Sequence, residues 1–225
     1  MIAVIPMAGE GQRFRDAGYG APKPLLPMPN GGTLIEHVIE SLPPMDAIYT
    51  VTRLGLIHQL FTVRKDTVLI SVIIKRKTTG PLDTILEAKQ YLKGDDELLI
   101  NYCDCFLPDN QCQEFVNEMR QRQRLAGVVC FPSHDERFQR EPSGQFAMSG
   151  IYWFASAQEF VKQAKKYRED GRVSPGHIAL STMFYAGLNM GAAFITNNIV
   201  DLGTPEAYEL YMALHKTKDD EIESK

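Results

Sequence analysis

Short β-branched apolar runs alternate with stretches of helical spacing through the first half of this chain. That order constrains the fold more than any single motif. Ile2–Ile5, Ala47–Val51, Val68–Ile74, Glu97–Asn101 and Gly127–Phe131 read as strands. Between them, Leu34, Ile35, Val38, Ile39 and Leu42 follow helical spacing after Thr33 and stop at Pro43-Pro44. A weak helix is expected around Leu56 to Val63, and another in TILEAKQYL with Asp83 as its cap. A polar helix is expected from about Gln111 to Leu125. Strict alternation of this kind predicts an α/β domain: a mixed, mostly parallel sheet sandwiched by helices. Ligands on such sheets bind beyond the carboxyl ends of the strands. Gly9, Gly11, Gly80 and Asp104 all follow strands, so they are expected to converge on one crevice.

The second half is less regular. Ser133 to Gly144 is polar and reads as a loop or lid. Phe146–Phe154 reads as a strand, and Ala157 to Tyr167 as a basic amphipathic helix with a solvated face. A further helix is expected between Pro175 and Leu188, then short strands at Gly191–Ile195 and Ile199–Leu202. Thr204 and Pro205 read as the cap and first turn of a last helix. The length of 225 residues suits one domain over 1–215, and the acidic-basic stretch 216–225 reads as a disordered tail. No further catalytic domain is expected after it.

Composition excludes several classes. A net charge of −4 gives no global basic field for nucleic acid. No stretch approaches the apolar length of a membrane span, and no basic region precedes the first apolar run as in a signal peptide. Cys103, Cys105, Cys112 and Cys130 lack paired CxxC spacing. They read as reduced core thiols of a cytoplasmic protein, not as a zinc site. The histidines show no metal-ligand spacing, and only His134, on the expected lid, is kept as an acceptor-side candidate.

The chemistry concentrates in Ile2–Pro27. The first strand runs into Ala8-Gly9-Glu10-Gly11, Arg13 follows at once, and Lys23 lies between two prolines. Glycines let a backbone approach a ligand closely and turn its N–H groups outward, and the two cations add charge for an anion. Phe14 stands where the dinucleotide fingerprint needs its last glycine, and the P-loop pattern is absent too. Asp104, in INYCDCF, and Asp201, in NIVDLGTPEAY, each read alone as a turn or cap residue, or as a ligand for a hard cation.

Taken together, GxGxRF with PKPLLP, TTGPLDTILEA, the Asp104 strand end, SGIYWF and the Asp before GTPE resemble the NTP-dependent nucleotidyltransferases that make nucleotide sugars. The segments keep that family's order from residue 1 to about 212. The resemblance implies a single-domain, Rossmann-like, nucleotide-diphospho-sugar transferase-like fold. It implies transfer of an NMP from an NTP to a phosphorylated acceptor, first of all a sugar 1-phosphate, with pyrophosphate released. Ala8, Gly9, Gly11, Thr79 and Gly80 would then bind the nucleotide, and Arg13 and Lys23 would be the catalytic cations holding the leaving pyrophosphate. Asp104 and Asp201 would hold Mg²⁺, and Gly150 would lie near the acceptor. Members commonly carry Glu-Lys-Pro upstream of GIY; here Arg140-Glu141-Pro142 stands there, so either Arg140 supplies the acceptor-side charge or that contact is lost.

Two alternatives stay open: a CTP-dependent cytidylyltransferase acting on a small phosphate or phosphonate, and a non-catalytic nucleotide-binding regulator. A glycosyltransferase is disfavoured, because the usual DxD is Cys103-Asp104-Cys105. No nucleic-acid or membrane partner is expected, and self-association into a homo-oligomer is left open.

Overall fold

Each central strand distributes its side chains to two cores. In the first strand, Ile2 and Val4 enter one cluster of buried apolar residues while Ala3 and Ile5 enter the other. In the strand before Asp104, Leu98 and Ile100 face one cluster and Leu99 the other. Period-two alternation with both faces apolar is what a strand needs when helices cover both sides of its sheet.

The computed structural model describes residues 1–29, 31–53, 67–141, 143–169 and 191–223, with side chains described to residue 215. In chain order the strands are β1 (Ile2–Pro6), β2 (Ala47–Arg53), β3 (Val68–Ile74), β4 (Leu98–Asn101), β5 (Cys105–Phe106), β6 (Ala126–Phe131), β7 (Ala147–Phe154), β8 (Gly191–Ile195) and β9 (Val200–Asp201). The helices are α1 (Gln12–Asp16), α2 (Leu34–Ser41), α3 (Pro81–Leu86), α4 (Gln111–Gln121), α5 (Ala157–Glu169) and α6 (Pro205–Glu223). Seven strands form one sheet in the order β3-β2-β1-β4-β7-β6-β8, and β5 pairs with β9 apart from it. β7 runs antiparallel to both β4 and β6, while the other described pairs of the large sheet are parallel. The sheet is therefore mixed and mostly parallel, as the alternation predicts. The helices expected around Leu56 to Val63 and between Pro175 and Leu188 lie outside the described residues.

One face of the sheet is covered by α3 and α5, through Leu82, Ile85, Phe160 and Ala164. The other is covered by α2 and α4, through Leu34, Val38, Phe115 and Met119. Tyr208 of α6 joins the second core, and its hydroxyl donates to the Pro27 carbonyl at 2.6 Å. Helix α4 lies so close to β6 that a Cβ on Gly127 would stand 2.4 Å from Met119 Sδ and 2.9 Å from Phe115 Cε2. At the start of α2, Glu36 accepts from the Thr33 N–H at 2.6 Å and from its hydroxyl at 2.8 Å, which fixes the entry of that helix.

Two local expectations are corrected. Helix α3 starts at Pro81, whose missing N–H suits a first helical position, so Asp83 is inside the helix rather than its cap. Helix α4 stops at Gln121 rather than near Leu125. Gln123 takes φ +49°, and the Arg124 N–H returns to the Met119 carbonyl at 3.0 Å, which closes the last turn. The backbone of α6 runs to Glu223.

Candidate active site

The ends of β1, β3 and β4 open on one cleft of about 480 Å³. Met7, Ala8, Gly9, Glu10 and Gly11 form one wall, and Lys77, Thr78, Thr79 and Gly80 form another. Lys23, Tyr102, Cys103 and Asp104 line it as well. These are the segments that the sequence leads one to expect at the carboxyl ends of parallel strands, and they do converge.

The loop after β1 bends because Gly11 takes the left-handed conformation (φ +62°), which glycine adopts without the clash a Cβ brings. The Gly11 carbonyl accepts from the N–H groups of Phe14 and Arg15 and starts α1. A Cβ on Gly11 would come within 3.8 Å of the Lys23 Cβ, so the loop and the Pro-Lys-Pro turn pack side by side. The loop also carries an acid that a purely cationic reading overlooks. Glu10 lies 3.2 Å from Lys77 Nζ, with Arg53 and Arg15 at 3.7 and 3.9 Å, so it faces cations at the mouth of the cleft.

Lys23 and Asp104 form an ion pair at 2.5 Å, each side chain about four-fifths buried. Burial pushes the Lys23 ammonium down, but Asp104, the Cys103 thiol and Asp201 outweigh it and hold it above the ordinary lysine value. Lys23 therefore stays charged. Burial pushes the neighbouring Cys103 thiol up to about 11 and Cys105 well above its usual value, so neither is a thiolate nucleophile at neutral pH.

Asp201 is brought to Asp104 by the small sheet. Cys105 of β5 is paired with Asp201 of β9, and the Leu202 N–H donates to the Asp104 carbonyl at 2.7 Å. A Cβ on Gly203 would stand 3.2 Å from Asp201 Oδ1 and 3.3 Å from Asp104 Oδ2. The two carboxylates thus flank the Gly203 backbone, where a Cβ would crowd both. Burial, then the Asp104 charge, push the Asp201 carboxyl up to about 6, against the opposing effects of Arg137, the Gly203 N–H and Lys23. Two oxygen donors that resist being charged together fit a hard cation, which takes one or two carboxylates and completes its shell with water and phosphate oxygens. Among the described residues no third acidic, histidine or cysteine ligand joins them.

Asn101 went unremarked in the sequence and holds this turn together. Fully buried at the end of β4, it donates from Nδ2 to the carbonyls of Tyr102 at 2.7 Å and Cys105 at 2.8 Å. The two ends of the Asp104 turn are thereby tied to one side chain. A buried amide closing an apolar strand was the available signal.

The remaining expected residues are dispersed. Arg13 is exposed on α1, outside the cleft lining, where its charge acts on Asp135 and Glu206. Gly150 is buried in β7 (φ +95°), and a Cβ there would lie 2.6 Å from Tyr102 Cδ2, so it supports the cleft from beneath Tyr102. Arg140 is half-buried and bridges to Ala147. His134 is exposed on the loop before it. On the same loop Arg137 pairs with Asp135 at 2.5 Å, stacks 5.3 Å over Phe138, and its charge acts on Asp201.

The sequence matches the model of the MobA-like NTP transferase domain over residues 3–181. It is 26% identical over 167 residues to the bifunctional protein GlmU of Methanocaldococcus jannaschii, covering 68% of this chain and 40% of that protein. To the bifunctional protein GlmU of Methanococcus maripaludis it is 32% identical over 96 residues, 42% of this chain and 23% of that one. The chain thus spans less than half the length of these curated relatives. Among solved structures, the fold is similar to a nucleoside-diphosphate-sugar pyrophosphorylase from Vibrio cholerae, with TM-score 0.75, 20% identity and coverage of 95% of this chain and 100% of that one. It is also similar to a UDP-glucose pyrophosphorylase from Acinetobacter baumannii, with TM-score 0.72, 16% identity and full coverage of both chains.

Proposed function

The chain belongs to the MobA-like NTP transferase family, and from that premise we propose that it transfers an NMP from an NTP to a phosphorylated small molecule, with a sugar 1-phosphate the first choice. One observation carries the reading. The loop after β1, Lys23, the Thr78–Gly80 turn and the Asp104–Asp201 pair meet in and around one cleft.

In the proposed reaction a phosphate oxygen of the acceptor attacks the α-phosphorus in line, and pyrophosphate leaves. The attacking group is already an anion, so no general base is needed. What the protein must supply is alignment of two anions and charge stabilisation on the leaving group. The proposed nucleotide ligands are the backbone of Ala8, Gly9 and Gly11 with Thr79 and Gly80. Lys23, kept charged by its acidic neighbours, provides a point charge for the phosphates. Arg13, exposed on α1, is assigned to the leaving pyrophosphate. Asp104 and Asp201 are the residues to hold Mg²⁺, which when bound neutralises phosphate charge and orients the α-phosphate. Gly150, by admitting the Tyr102 ring, shapes the floor toward the acceptor, and Arg140 with Arg137 offers forked cations on the acceptor side. The setting proposed is cytoplasmic.

A pyrophosphate-release screen tests this. The four common NTPs are crossed with sugar 1-phosphates, phosphocholine and a phosphonate, with and without Mg²⁺. Release that requires both Mg²⁺ and an acceptor is expected. Release with CTP and a non-sugar acceptor alone would move the assignment to a cytidylyltransferase. Silence with every pair overturns the catalytic reading in favour of a nucleotide-binding regulator.

A further inference from the structure

The loop between β3 and α3 is closed on itself by one buried carboxylate. Asp83 is 4% exposed. Its Oδ1 accepts from Arg76 Nη2 at 2.7 Å and its Oδ2 from Arg76 Nη1 at 2.8 Å, a forked pair. The same Oδ2 accepts from the Thr79 N–H at 3.0 Å and the Thr79 hydroxyl at 3.3 Å. Arg76 is itself held by Glu87 on the far side, and Arg168 of α5 lies 3.7 Å from Asp83 Oδ1. Next to this knot, the Thr84 hydroxyl meets the Thr78 hydroxyl at 2.7 Å and donates to the Gly80 carbonyl at 3.0 Å. Arg76, Thr79 and Asp83 span the short stretch that forms the second wall of the cleft.

We infer that Asp83, clamped by Arg76, is a positioning residue that sets the shape of the Thr78–Gly80 wall and through it the selection of the NTP base. Thr79 is exposed and adjoins a glycine, so nothing in its own packing fixes it. Both of its donors are committed to Asp83, which pins the backbone of the wall. A buried carboxylate with several donors in place is costly to disturb, so the wall is held in one arrangement before nucleotide arrives. The Arg76 guanidinium first of all, against the opposing effect of burial, keeps the Asp83 carboxyl below the usual carboxylate range, so the clamp is intact at neutral pH.

This inference rests on the proposed nucleotide site, and the test separates the two. Steady-state kinetics with each NTP are compared for wild type, Asp83→Asn, Asp83→Ala and Arg76→Gln. Asp83→Asn keeps an acceptor oxygen for the Thr79 N–H and removes the charge; Asp83→Ala removes both. The expected result is a rise in KM for the preferred NTP of roughly tenfold in Asp83→Ala and less in Asp83→Asn. The preference between NTPs should narrow by a similar factor, while kcat stays within about twofold. A folded Asp83→Ala enzyme with unchanged KM and unchanged base preference overturns the inference. Where Asp83→Ala does not fold, Arg76→Gln, altered at a half-exposed side chain, decides by the same readout. If wild type releases no pyrophosphate with any NTP, the functional reading fails on its own. Equilibrium titration of each variant with a fluorescent NTP analogue then decides for Asp83: weakened binding supports the clamp, and unchanged binding overturns it.

Discussion

At the scale of single residues, the site is governed by how acids and cations share a small buried space. Lys23 is fixed beside Asp104, and its charge survives burial because acids surround it. Lys23→Ala should lower kcat by roughly 10²–10³-fold, the cost of losing a charge preorganised for the transition state, as read by pyrophosphate release at saturating NTP. Asp201 gives a pH prediction with a definite sign. Its folded-state value of about 6 lies above the usual carboxylate value, so between about pH 4 and pH 6 the folded protein holds a proton that the unfolded chain has released. Stability of the metal-free protein therefore falls as pH rises through that window, and the penalty is fully present above it. Metal-free Asp201→Asn should melt roughly 2 °C or more above wild type at pH 7.5, with no advantage at pH 4. An equal melting temperature at both pH values would remove the argument that the two carboxylates repel.

At the scale of elements, two glycines separate support of the site from support of the fold. Gly150 carries both a left-handed backbone and the Tyr102 ring, with 2.6 Å to a hypothetical Cβ. Gly150→Ala should cost about 2–4 kcal/mol in urea unfolding, from backbone strain and overpacking together. It should also raise KM, because Tyr102 lines the cleft. Gly127 instead lets α4 settle on β6, away from the cleft. Gly127→Ala should cost about 1–3 kcal/mol, and the KM and kcat of the surviving enzyme should match wild type. Kinetic change in both variants, or in neither, would contradict this division. Helix α3 also shows why Asp83 is not a cap. An acid two residues after a proline looks like a helix cap, yet Pro81 takes the first helical position. The carboxylate is then directed back to Arg76 and Thr79.

At the scale of the whole molecule, the mixed sheet and its crossing connections turn distant segments into one centre. If Asp104 and Asp201 share a cation, Mg²⁺ should raise the melting temperature at pH 7.5 and do so much less at pH 5, where Asp201 is protonated. Asp104→Asn should lose that shift at both pH values, and chelation should abolish pyrophosphate release. The sheet itself was open to reading from the chain. Residues such as Val4, Leu99 and Ile100 are apolar because both faces of their strands are buried, and that requirement is written locally as runs of β-branched and aliphatic residues. The convergence of Gly9, Gly80 and Asp104 was legible too, because strand ends in a parallel sheet share one side. Other relations were not. The pairing of Cys105 with Asp201, the field of Arg137 on Asp201, and the closure of the Thr79 wall by Asp83 join residues whose sequence neighbours give no sign of one another. Strand and helix propensity act over a few residues, and so the sequence alone determined the layers and the order of the segments. Which charges lie within a few ångströms of each other depends on register and on how each turn closes, and only the tertiary structure decided that.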